Sequence, residues 1–144
     1  MKAKRLSATA GTQTHVLVFE TGEEVMQELT AYARRENLRA GHFTAIGAFR
    51  ACELAYFDWE TKAYSKIPVT EQVEVLVLAG DIAWKDDEPV VHAHVVLGRR
   101  DGSTRGGHLL SGLVRPTLEV ALTVGGSLEK RFDPATGLSF ITDR

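Results

Sequence analysis

The sequence is poor in cysteine and in long apolar runs, and both shortages exclude classes of protein. Cys52 is the only cysteine, so the chain has no internal disulfide and fits a reducing compartment, where we expect Cys52 to be a small buried hydrophobe. No apolar run approaches the ~20 residues of a membrane span. The basic start, Met1 to Arg5, is not followed by the apolar stretch of a signal peptide. We therefore expect a cytoplasmic protein with no membrane partner.

The chain also lacks an excess of positive charge. It carries 17 Lys and Arg against 19 Asp and Glu, a net charge of -2 with a pI of 6.2, so nothing attracts the whole molecule to a polyanion. Any nucleic-acid binding has to use a local patch. The Gly-x-Gly-x-x-Gly, Gly-x-x-x-x-Gly-Lys and Gly-x-Ser-x-Gly motifs are absent, which argues against nucleotide binding by a standard loop and against a serine hydrolase.

What the chain does contain is enough apolar sequence for one domain. Its 144 residues are 44% hydrophobic and 25% charged, which is the composition of a globular protein with a sizeable core. We expect a single domain over residues 1–144. The first six residues are polar and basic and are expected to be a frayed end.

A strand followed by a helix is predicted near the start. Residues Thr14–Phe19 are rich in β-branched and aromatic side chains, which is typical of a strand. The segment Thr21–Glu24 has the Thr-x-x-Glu spacing of a capping box, which predicts a helix start. The helix should end near Asn37. Apolar residues recur in it at helical spacing and form a stripe that we expect to pack on a sheet: Val25, Met26, Leu29, Tyr32 and Ala33.

From Phe43 onward the period of the apolar pattern changes to two, which predicts strands separated by turns. An exposed turn is expected at Lys85–Pro89 and a hairpin turn at Asp101-Gly102. The predicted strands are Phe43–Phe49, Glu53–Phe57, Ala63–Ile67, Glu71–Ala83, Val90–Gly98, Thr104–Val114 and Thr117–Val124. The predicted fold class is α+β, a largely antiparallel β-sheet with one or two packed helices.

The most informative residues are histidines on the strands that flank Asp101-Gly102. In Val91–Leu97 the odd positions are apolar, so His92 and His94 share the opposite face, about 6.6 Å apart along the strand. Antiparallel pairing about the turn brings His108 opposite the region of His94. Three imidazoles with an open fourth position are typical of a zinc site. The plainer interpretation, partly exposed or hydrogen-bonded strand histidines, stays open.

A second candidate site surrounds the same turn and would hold a phosphate or carboxylate. Its ligand-binding residues are Arg99, Arg100, Arg105, Gly106 and Gly107. A solvated loop, and a bulge with close backbone approach at the glycines, are the alternatives. His15 and His42 have no other histidine near them in sequence, so we interpret them as structural or surface groups and as spare ligands if the register differs. No catalytic residue is identified.

Several segments, taken in order, resemble the PPC domain, the domain conserved between plants and prokaryotes. They are Gln72–Gly80, His92–Val95, Asp101-Gly102, Gly106–Leu109 and Pro116–Val120, and Gly41–Ala48 resembles the stretch that follows the first helix in this family. The resemblance covers nearly the whole chain. It implies an α/β or α+β fold with a largely antiparallel sheet and a homotrimer as the usual assembly.

The resemblance also bears on metal and DNA. It implies that prokaryotic members can carry a histidine-bound metal, which maps onto His92, His94 and His108 of this chain. Plant members often follow an AT-hook and are nuclear DNA binders and transcriptional regulators. This chain has no Arg-Gly-Arg-Pro core, so the minor-groove reader is missing.

Three functions remain. The first, which we favour, is a non-catalytic homotrimeric module with a bound zinc ion, DNA-binding or associated with transcription, acting on DNA directly or through a partner protein. The second is a small zinc-dependent enzyme in which a carboxylate such as Glu74 or Glu119 moves a proton. The third is a sensor of a small anion, with the metal and the arginines near the turn as receptor.

Overall fold

The computed structural model describes residues 1–9 and 11–142, which form nine strands and one helix. In chain order these are β1 Lys2–Thr9, β2 Thr12–Glu20, α1 Val25–Arg35, β3 Gly41–Asp58, β4 Ala63–Val69, β5 Val73–Lys85, β6 Glu88–Gly98, β7 Thr104–Val124, β8 Glu129–Asp133 and β9 Leu138–Thr142. With a single helix in these ranges, the protein is richer in strand than the predicted α+β class suggests, without contradicting it. Within the same ranges, no helix is long and apolar enough to cross a membrane.

The strands form one sheet that partly closes on itself. Their order is β1-β2-β7-β3-β5-β8-β9, β4 pairs with β3, and β6 pairs with both β5 and β7. Because β3 also pairs with β5 and β7, the strands β3, β5, β6 and β7 make a ring of hydrogen-bonded neighbours. These pairings are antiparallel, as the sequence predicts. A parallel pairing joins β5 to β8 between Trp84 and Glu129.

Helix α1 packs on β6 and β7 and so defines the inner face of the sheet. The helix buries the predicted stripe of Val25, Leu29, Tyr32 and Ala33. On β6, Ala93 and Val95 are buried in the same core. Since side chains alternate along a strand, the residues between them face away from the helix. This alternation places His92 and His94 on the outer face.

The helix begins differently from the prediction. Glu24 and not Thr21 is the N-cap: its carboxylate accepts hydrogen bonds from the backbone N–H groups of Met26 and Gln27. Thr21 instead donates its hydroxyl hydrogen to the carbonyl oxygen of Pro116. A carboxylate satisfies the same free backbone donors and suits the positive end of the helix dipole, so either residue fits the sequence pattern.

The expectation that the first six residues are frayed is wrong. Residues Lys2–Thr9 form β1, which pairs antiparallel with β2. Its side chains are exposed, and the burial that helps to hold the segment comes from Met1, just before the strand, which packs against the core. The backbone ladder holds it, together with ion pairs between the Met1 amino group and Glu23 and between Lys2 and Glu20. A strand that buries nothing leaves no apolar pattern in the sequence, which is why it was missed.

Strands β3 and β7 each span two of the strands that were predicted from the sequence. In β7, Pro116 lies where the ladder to β3 skips from Val114 to Leu118, so the missing N–H of proline breaks no pairing. In β3, Gly47 has a φ of +151°, and a Cβ there would lie 2.3 Å from the carbonyl oxygen of Thr117. The irregularities therefore bend the two long strands past each other without ending them.

Candidate metal centre

The three predicted histidines meet on the outer face of the sheet. His92 and His94 lie on β6, and His108 lies directly opposite His94 on β7, which confirms the predicted register. The ring centroids are 5.0 Å apart for His92 and His94, 5.1 Å for His92 and His108, and 5.4 Å for His94 and His108. Each ring offers one ligand nitrogen, and these nitrogens all lie within 4.8 Å of one another.

A carboxylate on the neighbouring strand orients one of these rings. Asp81 lies opposite His92 in the β5–β6 register, and its Oδ2 is 3.2 Å from Nδ1 of His92. With Nδ1 donating to the carboxylate, Nε2 of His92 keeps its lone pair for a ligand. The other oxygen of Asp81 is 2.5 Å from Nζ of Lys130 on β8, a side chain that is buried. Such a carboxylate is common behind metal-binding histidines because it fixes the ring and raises its basicity.

The surroundings favour neutral rings. Burial, together with the neighbouring His92, His94 and Lys130, lowers the pKa of His108 to about 4. Burial and His92 also lower the pKa of His94. Burial raises the pKa of Asp81, but hydrogen bonds from His92 and Lys130 outweigh that effect and hold the pKa below its usual value. At neutral pH His94 and His108 are therefore unprotonated imidazoles, the protonation state in which histidine binds metals.

A divalent ion fits this donor set. Nδ1 of His108 is buried and has no hydrogen-bond partner in the part of the chain that the structure describes, and a buried polar atom costs free energy when nothing binds it. Zinc takes nitrogen ligands at about 2.0–2.1 Å in a tetrahedral arrangement. The three nitrogens, which lie within 4.8 Å of one another, would have to draw together around such an ion, and three protein ligands leave a fourth position open.

An open cavity of about 610 Å³ adjoins His92 and His108. Tyr64 of β4 forms part of its wall and packs on the His108 ring, with centroids 5.0 Å apart and planes tilted by 36°. Asp81 and Lys130 line the same cavity, and the rest of the wall is mainly apolar and comes from β6 and β9. A small molecule in this cavity would therefore contact two of the three histidines.

The arginines near the β6–β7 turn do not form one site. Nε of Arg99 donates to Glu71 at 2.7 Å, and a guanidinium nitrogen of Arg99 is 3.9 Å from Asp101. Arg99 and Arg100 line a cavity of about 420 Å³, whereas Arg105 does not contribute to it. Ligand binding by these arginines stays a prediction.

The paired glycines allow close backbone approach. A Cβ on Gly106 would lie 3.0 Å from the carbonyl oxygen of Val95, and a Cβ on Gly107 would lie 2.9 Å from that of Ala55. Close backbone approach is the alternative to ligand binding that the sequence left open for this pair. A direct role of these glycines in ligand binding stays a prediction. Their effect on the site is indirect, since close packing of β7 against β3 and β6 fixes the strand that carries His108.

The remaining histidines lie apart from the cluster, in agreement with the prediction of structural and surface groups. His15 is buried, with Nδ1 at 2.7 Å from the Tyr32 hydroxyl and Nε2 at 3.1 Å from Oε1 of Gln13. Burial lowers the pKa of His15. His42 is exposed on β3.

The carboxylates considered for proton transfer also lie elsewhere. Glu74 pairs with Gly98 at the far end of β6, and Glu119 pairs with Ile46 near the far end of β7. The carboxylate that contacts the cluster is Asp81. The choice of Glu74 and Glu119 from the sequence was wrong because it depended on strand register, which the sequence does not fix.

Asp81, Lys130 and Tyr64 are the contributors that the sequence analysis missed. Asp81 leaves a signal, since it is a carboxylate inside the apolar run Leu78–Ile82, and a charged residue in such a run needs a partner. Lys130 and Tyr64 leave none. They come from β8 and β4, and only the folding of the sheet brings these strands to the histidines.

Solved structures of other proteins share this fold. A metal-containing protein from Archaeoglobus fulgidus is 34% identical, with 90% of this chain and 93% of that chain covered and a TM-score of 0.83. A plant- and prokaryote-conserved protein from Pyrococcus horikoshii is 28% identical, covering 99% and 96%, with a TM-score of 0.85. A proposed DNA-binding protein from Ralstonia eutropha is 26% identical, covering 98% and 96%, with a TM-score of 0.87.

Curated relatives are longer proteins. The bifunctional protein GlmU of a Synechococcus strain is 34% identical over 135 residues, which is 90% of this chain and 20% of GlmU. The chain thus spans about a fifth of that relative. The model of one domain family, Plants and Prokaryotes Conserved (PCC), matches residues 6–125. The resemblance seen in the sequence is confirmed, and this chain belongs to the Plants and Prokaryotes Conserved family, that of the PPC domain.

Proposed function

We propose that this chain is a non-catalytic, metal-binding PPC-domain protein in which His92, His94 and His108 hold a divalent ion, with zinc as the metal. The observation that carries the proposal is that three ligand nitrogens from two strands lie within 4.8 Å of one another. The contact from Asp81 to His92 and the unpaired Nδ1 of His108 add support. The description of the Archaeoglobus fulgidus relative as metal-containing agrees with it. Zinc is preferred because it suits a nitrogen-only ligand set.

We propose a non-catalytic role because Asp81, the carboxylate beside the histidines, already contacts two other side chains. Asp81 accepts from His92 with one oxygen and pairs with Lys130 through the other. A general base needs a free lone pair directed at the substrate. The buried, free Cys52 fits the reducing interior of a cell, where we expect the protein to act.

Elemental analysis tests the metal site directly. Protein purified without an affinity tag or chelator is expected to contain about one zinc per chain, and the His92→Ala, His94→Ala double variant is expected to contain none. The matched control is His42→Ala, which removes an exposed histidine outside the cluster and should keep the metal. Wild-type protein that neither contains zinc nor binds it on titration would refute the proposal.

We also propose that the protein assembles as a homotrimer through the outer face of the sheet. Three large apolar side chains on adjacent strands are exposed there: Ile46 at 61%, Val77 at 42% and Val96 at 40%. Val77 and Val96 are directly paired between β5 and β6. Apolar side chains grouped in this way mark a protein interface more often than a free surface. His94 lies on the same face as Val96, so the assembly would reach the metal centre.

Association with DNA is the remaining part of the proposal, supported by the description of the Ralstonia eutropha relative. With a net charge of -2, binding would use the assembled protein or a partner protein, and its affinity would fall steeply with salt. Mobility-shift assays on a duplex at low and at physiological salt test this. A shift that persists at physiological salt supports direct binding, and no shift even at low salt argues against it.

A further inference from the structure

The cavity beside the metal centre is lined by two chemically different sets of residues. Lys130, His92 and His108 are polar, and Leu138, Phe140 and Ile141 of β9 are apolar. The two sets adjoin, since Lys130 pairs with Ile141 in the β8–β9 ladder. A cavity of about 610 Å³ falls within the range of small-molecule sites, about 300–1,000 Å³. The lining therefore suits a small molecule with one polar end and one apolar end.

The polar residues of the lining carry excess positive charge. Asp81 is the one carboxylate among the described lining residues, which include the cations Lys85 and Lys130, and it is paired with Lys130. Imidazole ligands are neutral and compensate none of the charge of a divalent ion. Lys130 has three N–H donors, and its contact with Asp81 uses only one. The remaining charge and donors fit an anionic group with oxygen acceptors.

The apolar residues of the lining come from a part of the chain that the family match does not reach. The β8–β9 hairpin, residues 129–142, follows the matched residues 6–125 and supplies both Lys130 and the β9 residues. Phe140 and Ile141 are 45% and 44% exposed. A hydrocarbon group bound against β9 would bury part of this apolar surface, which stabilises the complex.

We propose that the cavity binds a small monocarboxylate with an apolar body, its carboxylate held by Lys130 and its hydrocarbon part packed on β9. The inference rests on the proposed function, because the ion held by the histidines supplies part of the positive charge. It assigns ligand recognition to the C-terminal hairpin and makes Lys130 the specificity-determining residue. The arginines near the β6–β7 turn have no part in it.

Calorimetric titration of zinc-loaded, full-length protein tests the inference with defined probes. Acetate, butyrate and hexanoate are expected to bind with affinity that increases about fourfold for each added methylene. Pentanol and pentylamine carry the same pentyl group as hexanoate without the anion and should not bind measurably. Acetate binding as tightly as hexanoate, or pentanol binding as well as hexanoate, would overturn the inference.

Two matched pairs of variants locate the ligand. Lys130→Met should weaken hexanoate binding about tenfold or more, whereas Arg131→Met removes a charge from the same hairpin outside this cavity and should have no effect. Phe140→Ala should weaken hexanoate binding and leave acetate unchanged. Its control is Phe132→Ala, since Phe132 is exposed on β8 and does not line the cavity. Equal effects within each pair would contradict the inference.

Zinc content, measured on every sample before titration, separates the two proposals. A protein that holds zinc but binds no carboxylate overturns this inference and leaves the metal site intact. A wild-type protein that holds no zinc refutes the proposed function and the inference with it. If Lys130→Met loses its zinc, the inference is tested by the carboxylate titrations of wild-type protein and by the comparison of Phe140→Ala with Phe132→Ala.

Discussion

At the scale of single residues, Asp81 connects the sheet to the candidate metal centre. Its two oxygens contact different strands, one the His92 ring on β6 and the other Lys130 on β8. The hydrogen bond that Nδ1 donates to the carboxylate fixes the orientation of the imidazole and leaves Nε2 for a ligand. These contacts also explain how a carboxylate remains in the apolar run Leu78–Ile82, because one oxygen accepts from His92 and the other forms an ion pair with Lys130.

Replacing Asp81 by Asn should weaken zinc binding about 10–100-fold, the usual cost of losing the carboxylate behind a metal-binding histidine. Competition with a chromophoric chelator measures the affinity. Asp101→Asn is the matched control, since its carboxylate accepts from Ser103 at the β6–β7 turn and contacts none of the three histidines. Zinc affinity reduced equally by both substitutions would show that Asp81 has no special relation to the site.

The metal-free protein should lose stability as the pH falls from about 6.5 to about 4. The ordinary pKa of histidine is 6.5 and that of His108 in the folded protein is about 4. Between these values the unfolded chain binds more protons than the folded chain, so acid favours unfolding, whereas above pH 6.5 this contribution is constant. His94 and His15 act in the same direction, because their pKa values are also lowered.

Denaturant unfolding of chelator-treated protein across this range checks the prediction. The His108→Asn variant has no group to protonate at this position, so its unfolding free energy should fall less steeply with acid than that of wild type. Parallel pH curves for the two proteins would contradict the assignment of a lowered pKa to His108.

At the scale of secondary-structure elements, the contact between β5 and β6 positions the histidines. A Cβ on Gly80 would lie 2.2 Å from the carbonyl oxygen of His92 and 2.5 Å from Cζ of Phe43. Glycine is therefore needed so that β6 can approach β5 with a core phenylalanine packed over the same point. The position of His92 depends on this close approach.

Gly80→Ala should destabilise the protein by about 1–3 kcal/mol, the range for overpacking a filled site, and should lower zinc affinity by displacing the His92 backbone. Thermal unfolding and zinc titration give the two readouts. Ser65→Ala, a change at an exposed position of β4, should alter stability by less than about 0.5 kcal/mol. A Gly80→Ala protein as stable as Ser65→Ala would show that the strands can separate at little cost.

At the scale of the whole molecule, three exposed apolar side chains on β3, β5 and β6 are the observation behind the proposed trimer. Val77 and Val96 extend from the sheet next to Ile46, on the face opposite the helix. The buried core lies on the other face, where α1 packs. The outer face thus carries a group of apolar side chains, Ile46, Val77 and Val96, that a single chain leaves exposed.

Light scattering should give wild-type protein a mass of three times 15.8 kDa, the mass of one chain. Val77→Lys places a charge on the proposed interface and should yield monomers, because burying an unpaired charge is costly. Trp59→Lys removes an exposed aromatic residue near the β3–β4 turn and should leave the trimer unchanged. Monomeric wild type would refute the trimer.

The sequence predicted the candidate centre better than its surroundings. Alternation along β6 placed His92 and His94 on one face, and the turn at Asp101-Gly102 placed His108 opposite them, because strand period and hairpin pairing are local properties. Asp81, Lys130 and Tyr64 reach the centre through non-local pairings of β5, β8 and β4. Such pairings depend on the packing of the whole sheet and leave no regular pattern in the sequence.

The family, the antiparallel sheet and the histidine spacing were determined by the sequence itself, since each depends on residue order over a few tens of positions. Tertiary structure decided which carboxylate orients a histidine, which lysine lies beside it, and that a cavity opens between the metal centre and the C-terminal hairpin. These features join residues far apart in the chain. Only closure of the ring of β3, β5, β6 and β7, with β8 placed beside β5, brings their side chains within a few ångströms.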